Sequence, residues 1–212
     1  MNRTLALLIC LIAAIAIWVA TSRVSSHPAS AAVLPAPKVE GSKIYFVPIG
    51  DFPSDDLETL AKYYRHKYDV DITVLKSIPV DASTRDESRR QLMAENLAAS
   101  LRDSLPEFVI DPKAILIGFT SEDIYPTSKG WQFAFGWRLG SSRTAVVSTA
   151  RLGLIYAGMP LDLHISDTRL RKIVSKDIGI LYYGLPQSQD PKSVLYSQIM
   201  GIEELDQVGE DF

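Results

Sequence analysis

The 212-residue chain holds one cysteine, Cys10, and three histidines, His27, His66 and His164. One cysteine excludes an intramolecular disulfide framework, a Cys-rich zinc site and a CxxC redox pair. A three-histidine metal centre requires all three to converge on one point. A serine or cysteine nucleophile needs a base beside it, and no GxSxG elbow marks a serine for that role. Neither GxGxxG nor a GxxxxGKS-type loop occurs, so the usual phosphate cradles of α/β proteins are missing. His66 lies in Tyr63-Tyr64-Arg65-His66-Lys67 at the expected end of a helix, where a cation meets the negative pole of the helix dipole. His164, in Leu161-Asp162-Leu163-His164-Ile165, reads as a structural hydrogen-bonding residue on a loop or short strand.

Charge and composition narrow the function classes further. The chain has 22 Lys+Arg against 25 Asp+Glu, a formal net charge of −3, and is 47% hydrophobic. That apolar content suits a folded protein and excludes wholesale disorder. Nucleic-acid binding needs a clustered basic surface, for which this balance gives no basis.

The N-terminus predicts export. Met1-Asn2-Arg3 precedes an uncharged apolar run from Leu5 to Ala20, a basic n-region followed by an h-region. At 16 residues the run is short beside the about 17–25 of a spanning helix, so residues 1–20 read as a signal peptide or a signal anchor. Cys10 falls inside it. Residues 21–42 read as a flexible Ala/Ser/Pro linker carrying His27, Pro28, Pro35 and Pro37. The expected domain is 43–212; without Arg3, Arg23, Lys38 and Glu40 it has 19 basic and 24 acidic residues. The protein is therefore expected to be exported, periplasmic or extracytoplasmic, and anchored to a membrane through residues 5–20 where that segment is kept.

Hydrophobic periodicity supplies the elements. Lys43–Ile49 and Ala114–Phe119 are continuous apolar runs and read as buried strands; residues 69–74 alternate and read as a third. A helix opens at Ser54 with Leu57, Leu60, Ala61 and Tyr64 on one face. A longer helix is expected from Ser83, since Met93, Leu97, Leu101 and Leu105 recur every four residues before Pro106. This β-α-β-α-β order implies parallel pairing. Residues 131–149 then predict an edge hairpin turning at Gly140-Ser141-Ser142. A helix over about 168–183, ending at Gly184, and a short helix around 202–208 complete the chain.

Several strings carry a family resemblance. Gly118-Phe119-Thr120-Ser121-Glu122-Asp123-Ile124-Tyr125, Phe133-Ala134-Phe135-Gly136 and Val146-Val147-Ser148-Thr149-Ala150-Arg151-Leu152 resemble the archaemetzincin-type zinc-peptidase family, as does Arg90-Gln91. The resemblance implies a metzincin-like three-layer α/β arrangement: a mixed twisted sheet with a parallel start, an edge hairpin, an active-site-type helix and a short C-terminal helix. It also implies a helix bearing HExxHxxGxxH, and here the chain departs from the family. Aligning Gly179 with the residue before the second histidine puts Lys176, Asp177 and Ile180 at the motif positions, with Pro186 third. Aligning Gly184 with the motif glycine puts Asp177, Ile178 and Leu181 there, with Gln187 third. Neither alignment supplies two metal ligands one turn apart. Asp190-Pro191-Lys192-Ser193-Val194-Leu195-Tyr196 resembles the metzincin turn whose methionine floors the metal, with Leu195 in that place.

The reading is a degenerate, non-catalytic relative of zinc peptidases that binds an extended peptide or protein partner and needs no cofactor. Its groove is expected from the hairpin edge, with Trp131, Trp137, Asp177, Tyr182 and Tyr183 as lining residues and β-augmentation as the binding mode. Two other readings stay open. One is a divergent metallopeptidase holding zinc through His164 and Asp177; the other is a purely structural subunit.

Overall fold

The apolar run at Lys43–Pro48 (β1) and the fully buried Ala114–Thr120 (β5) pair in parallel at the heart of a five-stranded sheet. The computed structural model describes residues 34–159, 161, 162 and 164–212. Ile72–Val74 (β2) flanks β1 in parallel, and Thr144–Ser148 (β8) flanks β5 in parallel. Gly136–Arg138 (β7) closes the far edge antiparallel to β8, giving the order β2-β1-β5-β8-β7. A second, three-stranded sheet combines Arg85–Asp86 (β3), Gln91–Met93 (β4) and Ile124–Tyr125 (β6) in the order β3-β4-β6.

Strand alternation sends successive side chains to opposite faces and so builds two cores. On one face Val47, Leu116 and Val146 pack with Leu97 and Leu101 of helix α2 (Ala94–Asp103), which the short α3 (Pro106–Val109) follows. On the other lie Phe46, Phe119 and Val147, beneath α1 (Ser54–Tyr68) and α4 (Ile165–Leu181). The Tyr64 hydroxyl of α1 reaches the Arg171 carbonyl of α4 at 2.5 Å, joining these two helices. The short α5 (Ile202–Gln207) packs against α4. The result is the expected three-layer α/β arrangement with an edge hairpin.

Four details differ from the sequence reading. The long helix expected from Ser83 begins only at Ala94. The chain before it forms a 3-10 turn (Ala82–Thr84), then β3, then a turn with Arg90 at φ 53°, then β4. The four-residue recurrence is genuine from Ala94 onward; Met93, Gln91 and Arg90 lie outside it, in strand and turn. The alternating stretch 69–74 is strand only from Ile72, because Asp69 closes α1 in the left-handed region. Residues 131–135 approach the sheet as irregular chain, so the hairpin is shorter than expected. Finally, residues 35–42 are docked, where a free linker was expected. The Lys38 amide donates to the Tyr182 carbonyl at 2.7 Å, and Arg143 Nη2 donates to the buried Ser42 hydroxyl at 2.7 Å. Prolines 35 and 37 prevent helix there, yet an extended segment still docks through its other backbone groups.

Among the described residues no helix is long and apolar enough to cross a membrane. The expected signal segment 1–20, and the expected linker as far as residue 33, lie outside the described residues.

Candidate functional site

A cleft of about 590 Å³ opens where the edge strand β7 crosses α4. Its geometry follows from two periodicities. Gly136 and Arg138 are two apart on β7 and so share a face; Ile173 and Asp177 are four apart on α4 and so share a side. A Cβ on Gly136 would stand 3.4 Å from Ile173 Cγ2 and 3.2 Å from the Val146 carbonyl, so glycine lets the strand ride close to the helix. One step along, Arg138 Nη1 donates to Asp177 Oδ1 at 2.5 Å. Lys176 lies beside them and donates through Nζ to the Tyr196 carbonyl.

The electrostatics of this trio are lopsided. Asp177 is only 2% exposed, and its Oδ2 has no hydrogen-bond partner. Burial pushes its carboxyl above the ordinary range, against the pull of Arg138 and Lys176. Desolvation, aided by the nearby Arg138, brings Lys176 down to about 8. Among the described residues no other charged side chain lines the cleft; Trp131, Phe133, Phe135, Trp137, Ile199 and Met200 supply most of its wall. Trp131 is 39% exposed and meets Trp137 edge-on at 6.5 Å, and the Trp137 Nε1–H is buried without a partner.

The outer margin of β7 is open to pairing. The Ser148 amide donates to the Phe135 carbonyl and the Leu139 amide donates to the Thr144 carbonyl. In an antiparallel ladder residues alternate between facing the partner strand and facing away. Residues 135, 137 and 139 therefore bond inward to β8, which leaves the Gly136 amide and carbonyl and the Arg138 amide on the free edge.

The strings that resemble the family have a structural job behind this cleft. Arg151 grips the Asp123 carboxylate through Nε at 2.9 Å and Nη2 at 2.6 Å. Gln91 Nε2 bonds both Asp123 Oδ2 at 2.8 Å and the Gln132 carbonyl at 2.9 Å. Arg151 also stacks over Phe133, 4.3 Å from the ring centre. Gln91, Asp123 and Arg151 thus fasten the small sheet to the segment 131–135, which forms the cleft wall.

Of the residues expected from sequence, the cleft gathers Trp131, Trp137, Lys176, Asp177 and Gln187. Four others lie elsewhere. Tyr183 turns inward, donating its hydroxyl to the Tyr68 carbonyl at 3.0 Å and packing on Phe212; this corrects its assignment to the groove. Tyr182 stacks edge-on against Tyr183 and is likewise outside the cleft, because the helix rotates both away from β7. Ile180 falls off the cleft side of α4. Leu195 fills the space beneath Gly179, where an added Cβ would stand 2.9 Å from Leu195 Cδ2, so the turn persists as packing. Arg138 is the residue that sequence reasoning missed as a charge partner. Its only signal is the two-residue step from Gly136.

The helical hydrogen bonding ends at Tyr182, and Gly184 takes φ 70° as the chain reverses. Of the residues that the alignment on Gly184 puts at ligand positions, Asp177 and Gln187 line the cleft, with Leu181 between them in sequence. This set does not fit zinc. Asp177 is committed to a guanidinium, Leu181 offers only hydrocarbon, Gln187 is a neutral amide, and Arg138 and Lys176 place positive charge where a dication would sit. Nor do His164 and Asp177 make a ligand pair. His164 precedes α4, exposed beside Asp167, and Asp177 lies thirteen residues further on, about 20 Å along the helix. His66 is on α1, away from the cleft. Among the described residues no group of three His, Cys, Asp or Glu side chains stands close enough to hold a metal ion.

Three solved structures share this fold. Archaemetzincin from Archaeoglobus fulgidus, crystallised with malonate, is 24% identical over 80% of this chain and 94% of that one, with a TM-score of 0.62. Archaemetzincin from Methanopyrus kandleri is 24% identical over 82% and 92%, with a TM-score of 0.63. A zinc-dependent peptidase from Methanocorpusculum labreanum is 19% identical over 80% and 95%, also at 0.63. The fold is therefore of the archaemetzincin type, as the sequence strings implied. No protein-family model matches the chain, and no curated protein does.

Proposed function

We propose that this protein is a non-hydrolytic relative of the zinc peptidases, which binds an extended peptide along the free edge of β7 above α4. The observation that carries the reading is the Arg138–Asp177 ion pair, lying at the aligned ligand position and beneath an unpaired strand edge. A guanidinium there neutralises the carboxylate that a metal would require, while leaving the edge amides and the aromatic wall available for a strand-like ligand. The Met1–Arg3 head and the apolar run Leu5–Ala20 support an exported location, with the domain held near a membrane surface if that segment is retained.

The test uses full-length protein in a neutral detergent with equimolar zinc. Randomised peptides are presented, and both retention and cleavage are read by mass spectrometry, with zinc affinity measured by calorimetry. Retention of intact peptides with no tight zinc binding is expected. Chelator-sensitive cleavage, or stoichiometric tight zinc, overturns the proposal.

A further inference from the structure

The cleft carries a charge pattern that a plain backbone-binding groove does not need. Its charged groups are Arg138, Lys176 and Asp177, which sum to one positive charge in a wall that is otherwise aromatic, aliphatic or amide. The domain around it has the opposite sign, with more acidic than basic residues. Hydrogen-bonding capacity is unbalanced in the same direction. Arg138 has five N–H groups and uses one on Asp177, and Lys176 has three and uses one on Tyr196. Against these, the buried side-chain acceptor without a partner among the described residues is Asp177 Oδ2. A donor surplus with net positive charge in apolar surroundings favours an anionic acceptor, because charge-assisted bonds strengthen where water is scarce.

We infer that the cleft is selective for a carboxylate-bearing peptide, whose carboxylate seats between Arg138 and Lys176 while its backbone follows the Gly136–Arg138 edge. The inference rests on the peptide-binding reading and names the ligand class for that same site. A carboxylate matches both cations: it accepts from the planar guanidinium and from the ammonium together, and Asp177 already shows the guanidinium in that partnership. The source is either an acidic side chain or a free C-terminus.

Three pools of dye-labelled decapeptides, identical apart from one feature, separate these sources. The first has an internal Glu and an amidated C-terminus. The second replaces that Glu by Gln and keeps the amide. The third has the Gln and a free C-terminal carboxylate. Binding to the full-length chain in neutral detergent is read by fluorescence anisotropy. A carboxylate pool should bind at least about tenfold more tightly than the neutral pool; whichever it is identifies the source. Lys176→Met should erase that preference, read as the ratio of the carboxylate pool to the neutral pool, and Lys176→Arg should restore it. Because Lys176 also holds the Tyr196 carbonyl, the Met variant is read as a ratio between pools on the same preparation, which partial unfolding does not change. Equal binding of all pools overturns the carboxylate inference and leaves peptide binding standing. Binding of no pool overturns both. A preference that survives in Lys176→Met overturns the seat.

Discussion

Among the described residues two arginine–aspartate pairs, each with one buried member, involve α4, and they are built to different specifications. At its N-terminal end Arg169, with no side-chain exposure, grips Asp206 through Nε at 2.8 Å and Nη2 at 2.7 Å. Its Nη1 also caps the carbonyls of Leu152 and Leu154, and Lys172 ties down the carbonyls of Leu205 and Asp206. Nothing is left over. Near the other end Arg138 reaches Asp177 by one bond, and Asp177 Oδ2 stays unpaired in an open cleft. A saturated pair fixes a loop; an unsaturated pair leaves hydrogen-bonding capacity beside the cleft. The same residue types thus serve as structure at one end and, in the proposed reading, as a site at the other.

The contrast can be broken most directly at the saturated pair. Arg169→Met strands a carboxylate and two carbonyls, and should cost about 3–5 kcal/mol in a urea denaturation series. At the cleft, Trp131→Ala should leave stability within about 0.5 kcal/mol, since the side chain is partly exposed. Peptide affinity should nevertheless drop about tenfold as an aromatic anchor is lost. A smaller, several-fold effect is expected from pH. Lys176, held at about 8, sheds its proton as pH rises through 8, so affinity for carboxylate peptides should fall between pH 7 and 9.5. Its contribution to stability runs the opposite way. The unfolded chain keeps that proton to about 10.5, so the cost of burying the charge is complete below pH 8 and is relieved between 8 and 10.5. Binding and thermal stability measured across one pH series should therefore diverge, and a parallel change would argue against Lys176 as the group observed. The smallest expected effect is the most discriminating. The double variant Arg138→Met, Asp177→Leu should show no net loss of stability, because an apolar pair replaces an under-bonded ionic one. The same exchange at Arg169 and Asp206 should destabilise, since both bonds of the pair and the capping of the Leu152 and Leu154 carbonyls disappear with it.

How much of this was legible in the sequence differs between sheet and site. The runs at 43–48 and 114–120 and the alternation around Trp137 declared the central strands and the edge, because burial on both faces or one leaves a direct mark on residue type. The β3-β4-β6 sheet left none. Its strands have two or three residues, and the four-residue recurrence of α2 extends by chance back to Met93. Tyr182 and Tyr183 looked equivalent to Trp131 as groove residues, since chain position shows aromatic character but not which way a helix has turned. Asp177 was singled out from the resemblance, whereas its partner was not, because Arg138 lies 39 residues earlier on another element.

By composition the chain had too few histidines for the HExxHxxGxxH motif of the family that its strings resemble: only two lie beyond the linker, and neither falls on the helix that would need them. What the linear order could not decide was the charge partner of Asp177. Gly184 takes a left-handed turn just past the end of α4. The glycine on β7 then let the edge strand settle against α4, bringing a guanidinium onto Asp177. Electrostatic partnership depends on distances of a few ångströms between elements far apart in sequence, and only tertiary packing sets those.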